Sequence, residues 1–517
     1  MKSFEWQNIL QLANQQANNG RFEEAMALCN QIYTNSQNEQ SALVETGALQ
    51  LSYGFLTFAK SCFQRALNID PNNFAALANL GSVAQQLGNS DEAIRIYSHL
   101  KEQYPLHEGI FRNSILSLEY CPHISDQTKL DAVKDWANLA ISLAGGKKSR
   151  PVKKGITTRP LRVGYVSSDF CQHTVGIFFK EILISHNREK IQVFTYSSGI
   201  ISDWITEIIQ SNSNFKDVSR SSDVQLAQLI EGDQIDVLID LSGHTAGSRL
   251  SMFAHRPAPV MLSWLGYFAT TGLEYIDAVL LDRWHSADSV SEQFIEPIEL
   301  LPQGRLCFSP AFPAPLIQDP PFIKNGFITF GSFNNTLKYN PEVYALWAKV
   351  LHGIPGSKLI LKWRTFNDPQ YCNTVRAIFE KHGIAQDRIE LRGPSFHIYM
   401  LDEYKDVDIA LDPTPFSGGL TSCEALYMGV PVITMPQDSV VSRQTFAFLS
   451  CIGHEELVAK NTMKYIEIAQ NLAASPKKLI EYRSMLRNQM INSPLMNPKE
   501  FAKQLENKII EIFHKSV

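Results

Sequence analysis

The sequence predicts a chain of class α + α/β, in which an N-terminal helical repeat array precedes two doubly wound α/β domains. Residues 34 apart recur along the first 105 residues, strand-like apolar runs then alternate with helical stretches, and two breaker-rich segments separate the parts. We expect repeats over 1–105, a helical cap and basic linker over 106–158, one α/β domain over 159–309, a proline-rich linker over 310–322 and a second α/β domain over 323–517.

Composition limits the class of protein. The chain has 517 residues, 44% of them hydrophobic and 19% charged, which suits a globular protein of two to four domains. Its net charge of −5 provides no basic field for nucleic acid. The eight cysteines include no C-x-x-C pair, which favours reduced thiols in a cytoplasm over disulfides or zinc. The N-terminus lacks a signal core and no apolar run reaches membrane-span length, so we expect a cytoplasmic protein without a membrane span.

The repeat over residues 1–105 has a period of 34. Three series of residues keep this spacing in one register: Gly20, Gly54 and Gly88; Ala25, Ala59 and Ala93; Cys29, Phe63 and Tyr97. A period of 34 with small residues at helix crossings is typical of tetratricopeptide repeats (TPR), in which stacked helical hairpins form an α-solenoid. We expect about three such units and further helices over 106–145.

Two segments rich in helix breakers divide the rest of the chain. The first, 145–154, is basic, and we interpret it as a solvated linker rather than a polybasic membrane contact. The second contains Pro310, Pro313, Pro315, Pro320 and Pro321, which predict an extended, semi-rigid connection.

Short apolar runs predict the strands of both α/β domains. The expected strands are 161–166, 191–196, 235–240 and 259–264, and then 327–330, 358–361, 388–391, 407–411 and 432–434. Ligands of such sheets bind beyond the carboxyl ends of the strands. The polar residues that follow each strand are therefore the candidate site residues.

The most informative stretch, 408–434, reads as a buried strand, a glycine-rich loop and a helix. Gly418 and Gly419 would present bare backbone N–H groups, and Thr421 and Ser422 are expected at the N-cap of the helix. Together with the helix N-terminus, this loop suits a diphosphate. Glu424, expected in the first turn, could reach ribose hydroxyls. An ordinary strand–loop–helix crossover is the alternative.

Other polar residues follow strands in both domains. His173 follows the first strand, His244 follows a later strand of the same domain, and Asn335 and Lys338 follow the first strand of the second domain. These residues converge on one cleft if the two domains face each other. Taken singly, each histidine could be a hydrogen-bonded structural residue and Lys338 a surface lysine.

Six ordered motifs carry a family resemblance. They are SSDFxxH, DLSGHT, RPAPV, WLGY, GSFNNxxK and GGxTxCEALYMGVPVIT, at residues 167–173, 240–245, 256–260, 264–267, 331–338 and 418–434. With the repeats, they resemble the family of protein O-linked N-acetylglucosamine transferases, which includes the plant SPINDLY-type O-fucosyltransferases. FNNxxK and CEALYMGVP are nearer the bacterial and SPINDLY-like branch.

The resemblance implies a GT-B fold of two Rossmann-like domains and inverting, metal-independent transfer of a sugar to Ser or Thr hydroxyls of proteins. UDP-N-acetylglucosamine is the preferred donor, with GDP-fucose and UDP-glucose left open, and no cofactor is implied. The repeats would dock the acceptor protein. Two alternatives remain: a small-molecule or glycan acceptor, with the repeats serving homo-oligomerisation, or a repeat scaffold with an inactive transferase domain.

The resemblance also implies roles for single residues. His173 matches a base or a donor and acceptor contact, Lys338 the lysine that grips the diphosphate, and Asn335 a polar group near the same phosphates. Thr421 matches the phosphate loop and Glu424 the acid on the ribose. A lysine and a helix N-terminus can stabilise the leaving diphosphate without metal, and an imidazole can accept the acceptor's proton.

His244 matches the GHT histidine of the SPINDLY-like branch, and we include it among the catalytic candidates. The chain departs from the family at two places. Met400 stands where a base-stacking histidine is usual, which makes the nearby His397 a candidate donor-binding residue. Phe268 replaces the proline often found after WLGY. Asp406-Val-Asp408 forms a D-x-D pattern, which we interpret as coincidental because Asp408 leads into a buried strand.

Overall fold

A computed structural model describes residues 3–36, 39–152, 159–311 and 313–516 of the chain. Its helices are α1 (Ser3–Asn18), α2 (Phe22–Asn35), α3 (Gln40–Ser52), α4 (Leu56–Ile69), α5 (Phe74–Gln86), α6 (Ser90–Gln103), α7 (Glu108–Glu119), α8 (Asp126–Leu143), α9 (Thr174–Ser185), α10 (Trp204–Ser211), α11 (Asp223–Gly232), α12 (Phe322–Asn325), α13 (Pro341–Gly353), α14 (Pro369–Lys381), α15 (His397–Asp402), α16 (Leu420–Tyr427), α17 (Gln444–Ile452), α18 (Thr462–Ala473), α19 (Pro476–Ile491) and α20 (Pro498–Lys515). Its strands are β1 (Leu161–Ser167), β2 (Ile191–Ser197), β3 (Asn214–Asp217), β4 (Val237–Asp240), β5 (Val260–Ser263), β6 (Ala278–Leu281), β7 (Ile298–Leu300), β8 (Thr329–Ser332), β9 (Lys358–Lys362), β10 (Ile389–Arg392), β11 (Ile409–Leu411) and β12 (Val432–Ile433).

Helices α1 to α6 form three stacked hairpins, as the 34-residue period predicts. The turn glycines of the three units all have left-handed backbone, with φ of 76°, 86° and 76°. Small residues let the helices of a unit approach closely: a Cβ on Gly81 would lie 2.6 Å from the ring of Tyr97, and one on Gly47 would lie 2.7 Å from the ring of Phe63. The array continues into a further hairpin of α7 and α8.

Each α/β domain has one parallel sheet. Within the described residues, the first sheet has seven strands in the order β3-β2-β1-β4-β5-β6-β7, and the second has five in the order β10-β9-β8-β11-β12. Both domains are doubly wound, as predicted, and their strand order reverses between β1 and β4 and between β8 and β11. The sequence analysis missed β3, β6 and β7. Strand β3 reads NFKD and β7 has three residues, so neither carries a clear apolar pattern.

The C-terminal helix ties the second domain back to the first. Phe501 of α20 stacks on Trp264, with ring centroids 6.0 Å apart. Glu506 accepts hydrogen bonds from the backbone N–H of Asn187 at 2.7 Å and from His186 Nδ1 at 3.0 Å. Because the Glu506 and His186 side chains are buried, this pair fixes how α20 lies on the first domain.

The repeat array packs directly on the second α/β domain. Asp368, at the N-cap of α14, accepts hydrogen bonds from the backbone N–H and the hydroxyl of Thr57 at 2.7 and 2.9 Å. Leu56 and Phe63 of α4 belong to the same apolar core as residues of both α/β domains. The repeats are therefore part of one packed unit with the α/β domains.

The described part of the basic segment lies along the first α/β domain. Arg150 pairs with Asp277 at 2.5 Å and donates to the carbonyl of Pro259 at 3.0 Å. The rest of the expected linker, residues 153–158, lies outside the described residues. Among the helices that the structure describes, none is long and apolar enough to cross a membrane.

Candidate functional site

Most predicted site residues lie in the segments that follow β1, β4, β8 and β11, at the two points where strand order reverses, whereas His397 follows the edge strand β10. The loops after β1 and β4 are neighbours because Val166 pairs with Asp240, and β8 and β11 are paired through Phe330 and Ile409. The carboxyl ends of the two sheets face each other, since Phe268, after β5, contacts Phe416, after β11. Ligands of doubly wound sheets bind at such reversals, which makes this cleft the candidate site.

Lys338 joins two loops of the second domain. It ends a one-turn 3-10 helix (Thr336–Lys338) after β8, and its Nζ donates to the carbonyl of Ser417 at 2.8 Å and to Asn334 Oδ1 at 3.3 Å. Nζ also lies 4.7 Å from the ring centroid of Phe416. Burial lowers the pKa of Lys338 to about 8, although the charge of Asp412 opposes the shift.

The two asparagines before Lys338 have different tasks. Asn335 Oδ1 accepts the N–H of Leu337 at 3.2 Å and so caps the 3-10 helix. Asn334 is buried, and its Oδ1 also accepts the hydroxyl of Thr421 at 2.9 Å. Sequence reasoning named Asn335 and missed Asn334, which links Lys338 to the glycine-rich loop. The sequence signal was the FNN run, which does not indicate which of the two asparagines faces the glycine-rich loop.

The glycine-rich loop is held by a buried carboxylate. Gly418 donates its N–H to Asp412 Oδ1 at 2.6 Å, and Asp412 Oδ2 accepts the hydroxyl of Thr434 at 2.6 Å. Burial raises the pKa of Asp412 to about 6. A Cβ on Gly418 would lie 2.2 Å from Ser422 Oγ and 3.0 Å from Asp412 Oδ1, so a larger residue would displace these side chains. Asp412, which directly follows β11, is a second residue that sequence reasoning missed.

The start of α16 corrects one prediction. Gly419 occupies the N-cap with φ −104° and ψ −100° and offers no side chain, while Thr421 and Ser422, expected at the N-cap, lie inside the first turn. Ser422 is buried and hydrogen-bonds Thr445 Oγ1 at 2.7 Å. A glycine N-cap leaves the first-turn N–H groups uncovered by a capping side chain, as an anion site requires.

Because α16 begins two to three residues earlier than expected, Glu424 lies beyond its first turn. It is 3% exposed and forms a short hydrogen bond with Nε2 of His397, the first residue of α15. Burial raises the pKa of Glu424. Burial alone would lower the pKa of His397, but the hydrogen bond to Glu424 and the charge of that carboxylate together raise it. The structure thus brings together two residues that the sequence analysis named separately.

His173 lies between β1 and α9 of the first domain. It is the N-cap of α9, its Nδ1 accepts the N–H of Val175 at 3.4 Å, and 51% of its side chain is exposed. Nδ1 also lies 3.7 Å from Asp169 Oδ1, and burial raises the pKa of that carboxyl. With Nδ1 as acceptor, the proton of the neutral ring is on Nε2. Nε2 can therefore donate a hydrogen bond.

His244, also predicted to be catalytic, is placed differently. It is 2% exposed, and its Nε2 donates to the carbonyl of Thr271 at 2.9 Å. The ring packs edge-on against Trp136, with centroids 4.4 Å apart. Burial lowers the pKa of His244 to about 3, so the ring is neutral. The structure does not bring His244 to the open cleft beside His173.

The D-x-D pattern has structural partners. Asp408 is buried and accepts the backbone N–H groups of Thr329 and Phe322 at 2.8 and 3.1 Å, and Asp406 pairs with Arg392 at 2.8 Å. Among the residues that the structure describes, no group of three His, Cys, Asp or Glu side chains is arranged to hold a metal ion.

Comparison with known proteins identifies the family and the fold of the chain. The family described as Glycosyl transferase family 41 matches residues 146–307 and 322–505, and the tetratricopeptide repeat matches residues 62–95. A solved structure of a Thermobaculum terrenum O-GlcNAc transferase mutant superposes with a TM-score of 0.88 at 29% identity, over 99% of this chain and 98% of that one. The predicted GT-B fold with N-terminal TPR is therefore confirmed.

Curated relatives point to the same family. The protein named probable UDP-N-acetylglucosamine–peptide N-acetylglucosaminyltransferase SPINDLY of Hordeum vulgare is 34% identical over 415 residues, which are 78% of this chain and 43% of that protein. The correspondingly named SEC protein of Arabidopsis thaliana is 28% identical over 378 residues, 70% of this chain and 38% of that protein. The chain thus spans less than half the length of these relatives. Its two α/β domains, taken with the family match, show that the chain belongs to glycosyl transferase family 41.

Proposed function

We propose that the chain transfers N-acetylglucosamine from UDP-N-acetylglucosamine to Ser or Thr hydroxyls of proteins, with inversion at the sugar carbon and without a metal ion. One observation carries the proposal: Lys338, the Gly418–Gly419 loop and the N-terminus of α16 converge at the strand-order reversal of the second domain. This arrangement concentrates positive charge and backbone donors at one point.

These groups suit the diphosphate of a nucleotide sugar. An ammonium has three N–H donors, and Ser417 and Asn334 accept two of them, which leaves one for a phosphate oxygen. The first-turn N–H groups of α16 supply further donors, and the helix dipole favours the negative charge that grows as the sugar leaves. A metal ion is not required for this stabilisation because the chain itself provides the charge. Asn335 would stabilise the 3-10 helix that carries Lys338.

Glu424 and His397 are the candidate contacts to the nucleoside. The carboxylate is fixed by its hydrogen bond to His397 Nε2, so its second oxygen is oriented and can accept ribose hydroxyls. Phe396 and Tyr399 flank His397 and are 80% and 64% exposed, which places apolar ring surface beside this pair. A base could stack there where Met400 replaces the usual histidine.

His173 is the candidate to contact the reacting groups from the first domain. Its exposed ring and its Nδ1 acceptor contact suit a hydrogen bond from Nε2 to a donor or acceptor oxygen. For it to act as a general base, Nδ1–H must instead face Asp169, which is 3.7 Å away and would stabilise the imidazolium. His244 is buried, and we assign it a positioning role rather than a contact with substrate.

We further propose that the TPR hairpins dock the acceptor protein in the cytoplasm. Stacked hairpins provide an extended surface for polypeptides, and the family relatives named above are described as peptide transferases. The described cysteines are all free thiols, which suits a reducing compartment.

Transfer of fucose from GDP-fucose is the second candidate, because the FNNxxK and CEALYMGVP motifs resemble the branch that includes the SPINDLY-type O-fucosyltransferases. A direct test incubates the purified chain with UDP-N-acetylglucosamine, GDP-fucose or UDP-glucose, with and without EDTA, and measures released nucleoside diphosphate. We expect release from UDP-N-acetylglucosamine that EDTA leaves unchanged. Release from GDP-fucose alone would replace the donor, and loss of release in EDTA with recovery on adding Mn²⁺ would overturn the metal-free mechanism.

A further inference from the structure

Phe416, in the glycine-rich loop, is held between rings from two other parts of the chain. Tyr120, at the end of α7 in the helical region, stacks on it with centroids 4.7 Å apart and an interplanar angle of 13°. Phe268, from the loop after β5, meets it edge-on at 4.6 Å and 81°. Phe416 itself is 6% exposed. We name Tyr120, Phe268 and Phe416 the aromatic clamp.

The aromatic clamp contacts the cation of the candidate site. Lys338 Nζ lies 4.7 Å from the Phe416 centroid, and its acceptor Ser417 is the next residue along the chain. Any shift of Phe416 would therefore move both the ring and the carbonyl that hold the ammonium. A lysine side chain has a flexible four-carbon stem, so such contacts decide where its charge is placed.

The ring contacts continue from Phe268 into the first domain. Tyr267 packs on Phe268 at 5.0 Å, His244 lies edge-on to Tyr267 at 5.4 Å, and Trp136 of α8 lies edge-on to His244. His244 thus supports the loop that carries Phe268. This gives the buried histidine a structural task and joins both helices of the last hairpin, α7 and α8, to the clamp.

We propose that the aromatic clamp positions Lys338 for the diphosphate, and that Tyr120 and Phe268 are positioning residues that act through Phe416. The inference rests on the proposed function, since it assumes that Lys338 binds a diphosphate. The clamp also connects the helical region, where the acceptor would dock, to the donor site.

The test is a double-mutant cycle read by nucleotide binding rather than by activity. Calorimetric titration with UDP and with GDP compares the unaltered chain with Tyr120→Leu, Lys338→Met and the combined variant, at nucleotide concentrations that saturate the Lys338→Met chain. Tyr120→Phe keeps the stacked ring. Tyr104→Leu is the matched control, because the ring of Tyr104 packs against Phe74 within the helical region. Phe268→Leu tests the second contact independently.

We expect Tyr120→Leu and Phe268→Leu each to weaken binding of the better nucleotide by about two- to tenfold, the contribution typical of one aromatic pair. Tyr120→Phe and Tyr104→Leu should bind as the unaltered chain does. In the Lys338→Met background, Tyr120→Leu should cause no further loss, because its effect passes through the ammonium.

If Tyr120→Leu weakened nucleotide affinity equally in the Lys338 and Lys338→Met chains, the inference would be overturned. Native nucleotide affinity in folded Tyr120→Leu and Phe268→Leu chains would also overturn it. If Tyr120→Leu fails to melt cooperatively, the same double-mutant cycle with Phe268→Leu in its place tests the inference. Failure of the unaltered chain to bind UDP or GDP would instead overturn the proposed function, and the inference with it.

Discussion

Gly88, in the turn of the third TPR unit, lies against the backbone carbonyl of Tyr339, the residue that follows Lys338. A Cβ at Gly88 would stand 2.3 Å from that oxygen, and the glycine has φ +76°. The TPR turn therefore touches the segment that places the candidate phosphate lysine. The equivalent turn of the first unit, at Gly20, has the same φ and nothing within 4 Å of a Cβ.

This pair of glycines provides a controlled comparison. Gly20→Ala and Gly88→Ala both introduce left-handed strain of about 1–2 kcal/mol, but only Gly88→Ala also collides with Tyr339. We expect Gly88→Ala to lower the free energy of unfolding further, by about 1–3 kcal/mol, and to weaken UDP binding. Equal unfolding midpoints for the two variants, or unchanged UDP affinity in Gly88→Ala, would contradict the contact's role.

Replacing Lys338 should abolish transfer and spare the fold. Lys338→Met removes the charge-assisted contact to the developing diphosphate anion, and loss of such a contact costs about 2.7–4 kcal/mol, or roughly 10²–10³ in kcat. The exposed Lys499 gives a control, Lys499→Met, which should keep native turnover. Released nucleoside diphosphate measures both. Near-native turnover of Lys338→Met would remove Lys338 from the site.

The pH dependence of nucleotide binding follows from the lowered pKa of the Lys338 ammonium. Because burial lowers the pKa of Lys338 to about 8, the side chain is charged below that pH and neutral above it. A diphosphate needs the charged form, so UDP affinity should weaken as pH rises through about 8. Protonation of the UDP phosphates changes UDP affinity equally in every variant. The weakening caused by Lys338 should therefore be absent in Lys338→Met. A flat profile in the unaltered chain between about pH 7 and 9.5 would contradict a lowered pKa of Lys338.

Glu424 should distinguish ribose from its deoxy analogues. If its carboxylate accepts ribose hydroxyls, UDP will bind more tightly than 2′,3′-dideoxy-UDP to the unaltered chain, by about 1.5–3 kcal/mol. Glu424→Gln should remove most of that difference, because the amide is a weaker and less directed acceptor than a carboxylate held by His397. Discrimination that survives in Glu424→Gln would assign the ribose contact to another group.

The docking role of the TPR units is best tested on the first unit alone. Removing residues 1–105 would strip apolar partners from the core, since Leu56 and Phe63 share one cluster with the α/β domains. Trp6 and Ile32 of the first hairpin belong to a separate small cluster. Deleting residues 1–36 should keep nucleotide binding and slow sugar-nucleotide hydrolysis but reduce transfer to protein. Unreduced protein transfer by a cooperatively melting deletion would overturn the docking role of the first unit.

Periodicity and strand direction explain what the sequence could predict. The 34-residue spacing places small residues at each helix crossing, and the structure confirms the hairpins through Gly81 against Tyr97. Apolar strands followed by polar residues located the loops of Lys338 and the Gly418–Gly419 segment, because parallel strands end at one edge of a sheet. These features depend on local pattern, which a single sequence carries.

Turn geometry and long-range pairing explain what it could not predict. Whether Asn334 or Asn335 faces the glycine-rich loop depends on the 3-10 turn that follows. The exact start of a helix depends on local loop geometry, so the sequence did not identify Gly419 as the N-cap of α16. The stack of Tyr120 on Phe416 joins residues from different domains and has no periodic signature. The edge strand β3 lacks an apolar alternation.

Intact-mass analysis of candidate acceptor proteins, coexpressed with this chain or with Lys338→Met, tests the central claim most directly. It reads the acceptor and the sugar in one measurement. We predict acceptors that gain the mass of one or more N-acetylhexosamine units with the unaltered chain and gain none with Lys338→Met. A gain of deoxyhexose or hexose would correct the donor, whereas identical acceptor masses with both chains would contradict protein glycosylation at this site.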